Sequence, residues 1–202
     1  MNTQVLPFEV SCFPTAVGVF KRGGLFAFPT DTVYGLGCDP FDRAAVGSLF
    51  EAKQRDEKPI PVLCAGLAEA LKLVSLRGAG AKLASKHWPG ELTIIAPVRA
   101  PLPPLLHQGT GWLGVRVPKG ETLGGLLTAC GGYLTGTSAN LSGQPSARSA
   151  EDVLAQLGDS IDLVLDGGRL LGLESTVVKA SGDEIVVLRQ GRVGVSDELK
   201  QP

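Results

Sequence analysis

Glycine is the residue that most restricts how this chain can fold. It occupies 27 of the 202 positions, and the glycines follow no collagen-like period. A chain uses glycine where its backbone turns tightly or passes close to another segment. So many of these positions suit a sheet with loops around a pocket better than a helical bundle. Because 44% of the residues are hydrophobic and 19% are charged, we expect a folded domain and exclude wholesale disorder.

Length and charge limit the possible partners. The chain is of a size that suits one domain, which we place at residues 1–202. Nineteen Lys and Arg residues stand against twenty Asp and Glu residues, so any nucleic-acid contact must come from a local patch. The sequence has no run of about 18 apolar residues and no signal-peptide pattern at its start. We therefore expect a cytoplasmic protein with no membrane span.

The cysteines and histidines do not form a metal-binding pattern. Cys12, Cys38, Cys64 and Cys130 include no CxxC pair, and the sequence has 2 histidines. Zinc sites built from these residue types need ligand pairs at short spacing. We therefore expect reduced, mostly buried thiols and no metal held by protein ligands alone.

Beyond a weakly patterned stretch of 22 residues at the start, short apolar runs alternate with segments of helical periodicity. The apolar runs predict strands at residues 24–28, 60–64, 92–96, 113–117, 134–135 and 163–165. The periodic segments predict helices at residues 42–53, 67–74, 79–88, 122–130 and 149–157, with caps at Asp42 and Ser149. A hairpin of residues 176–179 and 184–188 closes the chain. This order favours an α/β fold with a mixed parallel and antiparallel sheet and helices on both faces.

Two polar, glycine-rich segments follow predicted strands, which is where open α/β sheets bind ligands. Residues 29–37 read PTDTVYGLG, and an extended backbone would project the hydroxyl groups of Thr30, Thr32 and Tyr34 to one side. Residues 135–143 read TGTSANLSG and can cradle a phosphate through backbone N–H groups, although the P-loop spacing is absent. Both segments are also compatible with ordinary solvated turns.

Several basic residues favour an anionic ligand. Residues 53–55 read KQR at the end of a predicted helix, and Lys58 follows soon after. These cations either complement the helix C-terminus or supply donors to phosphate oxygens. Arg116 lies inside the apolar run LGVRVP and needs an anionic partner, which is either a carboxylate of the protein or an anionic group of a ligand. Residues 172–176 contain no GxSxG elbow, so a serine hydrolase has little support.

Together these segments resemble the YrdC/Sua5 family of L-threonylcarbamoyladenylate synthases over residues 18–191, which we take as the core of the domain. PTDTVYGLG is similar to the family's opening motif, and KQR and SAN, at residues 138–140, are similar to its KxR and SxN signature. LGVRVP, SGQPSA, LESTVV and the closing LRQG follow in the family's order. The chain looks like the short, single-domain members of the family.

The resemblance implies a fold, a reaction and partners. The fold is a twisted, open α/β sheet around a concave cavity. The reaction joins L-threonine, bicarbonate or CO2, and ATP into threonylcarbamoyl-AMP and pyrophosphate, with Mg²⁺ bound through the phosphates. The product feeds N6-threonylcarbamoylation of tRNA, which a separate transfer complex performs. Such chemistry needs alignment and charge neutralisation more than an acid–base dyad.

The same resemblance implies site residues. The residues expected to bind L-threonine are Thr32, Arg116, Gly136, Ser175 and Cys64. The residues expected to hold ATP are Arg55, Lys58, Trp112, Ser138, Asn140, Ser146 and Arg189. Lys53 and Arg55 are the expected catalytic residues, because both would act on phosphate charge.

Two other functions stay open. A paralogue with the same fold and another substrate would be a YciO-like protein or the carbamoyl-handling domain of a hydrogenase maturation factor, but the intact KQR and SAN favour the synthase. A module that binds double-stranded RNA or tRNA without catalysis is disfavoured by the net charge of −1 and the 5% of aromatic residues.

Overall fold

The chain forms two mixed sheets with helices packed against them. A computed structural model describes residues 3–54 and 58–195. The strands are β1 (Gln4–Pro7), β2 (Phe26–Phe28), β3 (Gly35–Gly37), β4 (Val62–Cys64), β5 (Leu92–Pro97), β6 (Trp112–Arg116), β7 (Tyr133–Thr135), β8 (Thr137–Ser138), β9 (Leu163–Asp166), β10 (Thr176–Ser181) and β11 (Glu184–Arg189). The helices are a 3₁₀ helix (Val10–Cys12), α1 (Phe13–Lys21), α2 (Arg43–Ala52), α3 (Leu67–Leu73), α4 (Gly78–His87), α5 (Pro104–His107), α6 (Glu121–Ala129) and α7 (Ala150–Leu157). None of the helices in this part of the chain has both the length and the apolar composition of a membrane span.

The first sheet has the strand order β1-β9-β2-β3-β8. Strands β1, β9 and β2 are parallel, whereas β3 and β8 extend the sheet in antiparallel orientation. Phe26 and Phe28 of β2 pack on one face in an apolar cluster with α1 and α6, while Ala27 packs on the other face. Because both faces of its centre are buried, β2 and β9 are almost wholly apolar.

The second sheet has the strand order β11-β10-β5-β6-β4-β7. Strands β10 and β5 are parallel, as are β6 and β4, and the other neighbours are antiparallel. Ile94 of β5 and Val115 of β6 point into the larger apolar cluster, which includes residues of α3 and α4. The alternate residues Thr93, Ile95 and Gly114 point to the opposite face, which forms the wall of a cavity.

The two sheets are joined at Gly136. Strand β7 ends at Thr135 in the second sheet, and β8 begins at Thr137 in the first sheet. The N–H of Gly136 donates to the carbonyl of Pro61 at 2.7 Å. A Cβ atom at Gly136 would lie 2.5 Å from Cγ of Leu63. Glycine therefore allows the chain to pass closely over β4 as it crosses from one sheet to the other.

Local sequence signals set the start of two helices. The carboxylate of Asp42 accepts hydrogen bonds from the backbone N–H groups of Ala44 and Ala45 at 2.8 and 3.2 Å, which caps α2. The hydroxyl of Ser149 accepts from the N–H of Asp152 at 3.3 Å, which caps α7. Both predicted caps are confirmed.

The predicted α/β class is confirmed, and the structure adds three features. The strands divide between two sheets, whereas the sequence predicted one. The weakly patterned start of the chain forms β1, the 3₁₀ helix and α1. The short strands β3 and β8 lie inside the two polar, glycine-rich segments, where they pair with each other at Gly35↔Ser138 and Leu36↔Thr137. Strands this short depend on their partners, so their own sequence carries no alternating signal.

Candidate functional site

A cavity of about 240 Å³ lies between the open face of the second sheet and the loop that joins β2 to β3, with β8 at its side. Residues from six predicted positions line it, namely Thr32, Arg116, Gly136, Ser138, Ser175 and Arg189. The fold therefore brings together positions that are far apart in the sequence.

The loop between β2 and β3 is held in place by the loop that follows β9. A Cβ atom at Gly172 would lie 2.0 Å from the carbonyl oxygen of Thr32, so glycine is required where these loops meet. The hydroxyl of Tyr34 donates to the carbonyl of Gly168 at 2.8 Å and accepts from the N–H of Gly167 at 3.0 Å. Burial raises the pKa of Tyr34 to about 12, so the hydroxyl keeps its proton for this contact. These contacts fix the position of Thr32 in the cavity wall.

Arg116 is the buried cation of the cavity. Its Nε donates to the carbonyl of Gly90 at 3.0 Å, and its Nη1 donates to the hydroxyl of Thr32 at 3.2 Å. Its Nη2 donates to the carboxylate of Asp31, which also accepts from the N–H of Lys119 at 3.0 Å. Burial lowers the pKa of Arg116, and the charge of Asp31 opposes this effect. Asp31 is therefore a protein partner for the arginine, and each Nη atom keeps a second N–H for a ligand.

Two pairs of hydroxyl groups lie at the cavity, one beside the guanidinium of Arg116 and the other beside that of Arg189. The hydroxyl oxygens of Thr30 and Thr32 lie 2.9 Å apart, and those of Thr93 and Ser175 also lie 2.9 Å apart. Thr32, Thr93 and Ser175 are all buried. The cavity wall is consequently polar and shielded from bulk water at these positions, and the remaining N–H groups of Arg116 suit the carboxylate of a small zwitterion.

A β-bulge directs Arg189 into the cavity. Strands β10 and β11 pair Val178 with Val187 but Val177 with Arg189, so Leu188 is an extra residue without a partner. Without the bulge, alternation along β11 would place Arg189 on the same face as Val187. The extra residue instead places Arg189 opposite Val177, and both residues line the cavity.

Glu174 joins two residues that were predicted to bind ATP. One of its carboxylate oxygens accepts from the hydroxyl of Ser146, and the other accepts from Nη1 of Arg189. Glu174 lines both the main cavity and a neighbouring cavity that also contains Ser146. The sequence does not indicate a role for this residue, because LEST by itself is typical of the start of a strand.

Lys53 and Asn140 support the cavity wall from behind. Lys53 is buried, and its Nζ donates to the carbonyls of Ser138 and Asn140, the latter at 2.6 Å. The side-chain nitrogen of Asn140 donates to the carbonyls of Leu141 and Gln144 at 2.8 and 2.7 Å, while its Oδ1 has no hydrogen-bond partner among the described residues. These bonds shape the SAN loop, and of its residues Ser138 lines the cavity.

Three other predicted positions lie at the rim or outside the described residues. Trp112 begins β6 on the same face as Gly114, and Nζ of Lys179 lies 4.2 Å from the centre of its ring. Lys58 is exposed next to Pro59, which lines the cavity. Arg55 lies outside the described residues.

Cys64 does not reach the cavity. Its neighbour Leu63 lines the cavity, so the alternation of side chains along β4 turns Cys64 to the opposite face, where it packs in the apolar core. Burial raises the pKa of its thiol, which keeps the group neutral. This placement corrects the expectation that Cys64 contributes to the threonine pocket.

The chain is similar to known proteins both in sequence and in fold. The family model Sua5_yciO_yrdC, described as Telomere recombination, matches residues 18–191. A threonylcarbamoyl-AMP synthase from Idiomarina loihiensis is 42% identical over 149 residues, which are 72% of this chain and 80% of the relative. The chain belongs to the Sua5/YciO/YrdC family. The resemblance drawn from its motifs is confirmed.

Members of the Sua5/YciO/YrdC family differ in length. A threonylcarbamoyl-AMP synthase from Pyrococcus abyssi is 35% identical over 179 residues, which are 87% of this chain but 53% of the relative, so the chain spans about half of that protein. The crystal structure of P. abyssi Sua5 complexed with L-threonine has a TM-score of 0.89 at 33% identity, covering 98% of this chain and 59% of that chain. Escherichia coli YciO has a TM-score of 0.87 at 27% identity, covering 96% of this chain and 98% of that chain.

Proposed function

We propose that this chain is an L-threonylcarbamoyladenylate synthase, which converts L-threonine, bicarbonate or CO2, and ATP into threonylcarbamoyl-AMP and pyrophosphate. The observation that carries the proposal is that the guanidinium groups of Arg116 and Arg189 reach one cavity lined by hydroxyl groups. Carboxylate and phosphate are the anions that the arginine fork binds best. The names of the relatives and the L-threonine complex of P. abyssi Sua5 support this choice of substrates.

In this proposal the buried end of the cavity holds L-threonine. The second N–H groups of Arg116 bind the carboxylate, and the buried hydroxyls of Thr32 and Ser175 provide polar partners for the rest of the amino acid. Gly136 leaves space beside Leu63 and completes this end of the cavity. The pairing of Arg116 with Asp31 keeps the guanidinium in one orientation before the ligand arrives.

The more exposed end of the cavity holds ATP. Arg189 is half-exposed, Ser138 of β8 lines the cavity, and Ser146 lies on a loop that lines the neighbouring cavity. Their donors serve the phosphates, while Lys53 orients the carbonyl of Ser138 from behind. Lys58 binds the same phosphates, and Arg55 acts on their charge as a catalytic residue.

The proposed reaction requires positioning more than acid–base catalysis. The amine of threonine adds to CO2 and loses a proton, which gives a carbamate. A carbamate oxygen then attacks the α-phosphorus of ATP, and the bond from that phosphorus to pyrophosphate breaks. A cavity that aligns the two substrates and neutralises phosphate charge supplies what this displacement needs.

The proposal includes Mg²⁺ bound with the nucleotide. Within residues 3–54 and 58–195, no cluster of three or more His, Cys, Asp or Glu side chains could hold a metal ion. Glu174, whose carboxylate lies beside the expected phosphate position, is bound to Ser146 and Arg189. This set of side chains fits a Mg²⁺ ion that is held through the phosphates of ATP, and such an ion would help to neutralise the charge of the phosphates.

The test is the release of pyrophosphate from ATP and Mg²⁺ with L-threonine and bicarbonate, with omission of each substrate as a control. We expect release only in the complete mixture, together with a product of the mass of threonylcarbamoyl-AMP. Release that is independent of threonine, or no release at all, would contradict the proposal. A downstream transfer to tRNA would consume the product, so the assay contains no tRNA and measures the mass of the intact product.

A YciO-like activity is the second candidate. It is favoured by the superposition on E. coli YciO, which covers nearly the whole of both chains. The two candidates differ in their use of threonine. Nucleotide binding without threonine-dependent turnover would favour the YciO-like alternative, and binding of double-stranded RNA without turnover would favour an RNA-binding role.

A further inference from the structure

Both guanidinium groups that face the cavity already have a carboxylate of the protein as partner. Arg116 is paired with Asp31, and Arg189 is paired with Glu174. An anionic ligand must therefore either share the arginine with its carboxylate or displace that carboxylate. The two pairs differ in the features that decide between these outcomes.

The pair at the buried end is fixed. The side chains of Arg116 and Asp31 are 6% and 13% exposed, and the second oxygen of Asp31 accepts from the N–H of Lys119. Separating this pair would leave a buried charge without a partner, which is strongly unfavourable. Asp31 therefore stays in place and acts as a positioning residue for Arg116.

The pair at the open end is more exposed, and Arg189 stays in place without Glu174 because its Nε and Nη2 donate to the carbonyl and hydroxyl of Ser175 at 3.0 and 3.3 Å. The side chains of Arg189 and Glu174 are 46% and 37% exposed, so water can solvate either charge if they separate. Among the residues that the structure describes, the other donor to the carboxylate of Glu174 is the hydroxyl of Ser146. Both of these donors are residues expected to bind the phosphates of ATP.

The location of Glu174 places its carboxylate in the path of a long ligand. It lines the main cavity of about 240 Å³ and also a neighbouring cavity of about 440 Å³ that includes Ser146 and Arg148. Val33 also lines both cavities, so the two cavities adjoin at Val33 and Glu174. A ligand that extends from one cavity to the other must pass the bridge from Ser146 through Glu174 to Arg189.

We propose that Glu174 is a displaceable counter-ion whose carboxylate occupies the anion positions of Ser146 and Arg189 until a nucleotide phosphate takes them. This inference rests on the proposed function for the identity of the nucleotide. Displacement moves one negative charge away as a phosphate arrives, so the cavity does not hold both anions at once. The same movement opens the passage between the two cavities, which makes Glu174 a determinant of nucleotide affinity.

The test compares the binding of tripolyphosphate and of ATP to the wild-type chain, to Glu174→Gln and to Glu184→Gln by isothermal titration calorimetry, with Mg²⁺ and with EDTA. Glu174→Gln removes the charge and keeps the size of the side chain. Glu184→Gln makes the same charge change at the other end of β11, about 17 Å along the extended strand from Arg189. We expect Glu174→Gln to bind both anions about fivefold more tightly, which is the scale of a half-exposed ion pair. The Glu184→Gln control should bind as the wild type does.

Unchanged or weaker anion binding by Glu174→Gln would overturn the proposal. Binding that is weaker only with Mg²⁺ would identify the carboxylate as a ligand of the metal. If Glu174→Gln does not fold, Glu174→Ala provides the same comparison. Failure of the proposed function is a separate result, since a wild-type chain without threonine-dependent pyrophosphate release would overturn that function, while tripolyphosphate binding would still decide the role of Glu174.

Discussion

Replacing Arg116 by Met tests whether this residue binds the amino acid or only stabilises the fold. The substitution removes the guanidinium and leaves the carboxylate of Asp31, which is 13% exposed, without its cationic partner. A second substitution, Asp31→Asn, removes that stranded charge, and the new amide oxygen can still accept from the N–H of Lys119. The single and double variants therefore separate the two roles.

The burial of the pair sets the expected magnitudes. Breaking a buried ion pair by removing one partner costs about 3–5 kcal/mol of the free energy of unfolding, and replacing both partners costs much less. A hydrogen bond to a charged group contributes about 1.5–3 kcal/mol, so loss of the guanidinium should weaken threonine binding about 10- to 150-fold. Arg22→Met is the matched control, because Arg22 pairs with Asp162 while 58% of its side chain is exposed. It should cost at most about 1 kcal/mol.

The assays are urea unfolding and the threonine dependence of pyrophosphate release. Arg116→Met should lose both stability and threonine dependence. The double variant Arg116→Met/Asp31→Asn should recover most of the stability but not the affinity for threonine. A double variant that used threonine as the wild type does would refute the assignment of Arg116 to the carboxylate.

Three further predictions follow from other contacts. Lys53→Met should lower the free energy of unfolding by about 1.5–3 kcal/mol, because Nζ of the lysine donates to two backbone carbonyls. Pyrophosphate release should fall with it, and a variant of normal stability would show that these hydrogen bonds contribute little. Gly136→Ala should destabilise the fold by about 1–3 kcal/mol, since the new Cβ would lie 2.5 Å from Cγ of Leu63. Gly124→Ala, in an open position of α6, is the control and should be neutral or stabilising, with both variants measured by thermal unfolding. The free energy of unfolding should fall as pH rises above the ordinary thiol value of 9.0, because burial raises the pKa of Cys38 to about 12 and the unfolded chain releases this proton first. Urea unfolding at a series of pH values gives the slope of the free energy of unfolding against pH. Above pH 9 this slope should be shallower for Cys38→Ala than for the wild type by up to about 1.4 kcal/mol per pH unit, and identical slopes would contradict this cause.

The elements that the sequence predicted are those with local signals. The cap at Asp42 and the apolar spacing after it define α2, and the turn at Gly182, with a φ of 62°, defines the hairpin of β10 and β11. These features depend on residues close together in the chain. Strand β1 is mostly exposed and exists because it pairs with β9, so nothing in its own sequence indicates it.

The division into two sheets was not predictable for a similar reason. It depends on the crossing of the chain at Gly136, where the contact with Leu63 joins residues that are distant in the sequence. The glycine content indicated close approaches of the backbone. It did not indicate which glycine separates one sheet from the other.

Six of the positions predicted for the site line one cavity, but their contacts were not predictable from the sequence. The motifs indicated Arg116 and Arg189, but the sequence left a protein carboxylate and a ligand as alternative partners for Arg116. The structure supplies Asp31, which precedes it by 85 residues. The orientation of Arg189 depends on a bulge at Leu188, and a bulge is defined only by the partner strand. Glu174 was missed for the same reason, since its two partners lie on other elements.

The decisive measurement is a crystal structure with L-threonine and a non-hydrolysable ATP analogue. We expect the threonine carboxylate within hydrogen-bonding distance of Arg116 and the phosphates at Ser146 and Arg189, with the α-phosphorus facing the threonine amine. Threonine bound away from Arg116, or a nucleotide bound outside the cavity between the two sheets, would contradict it.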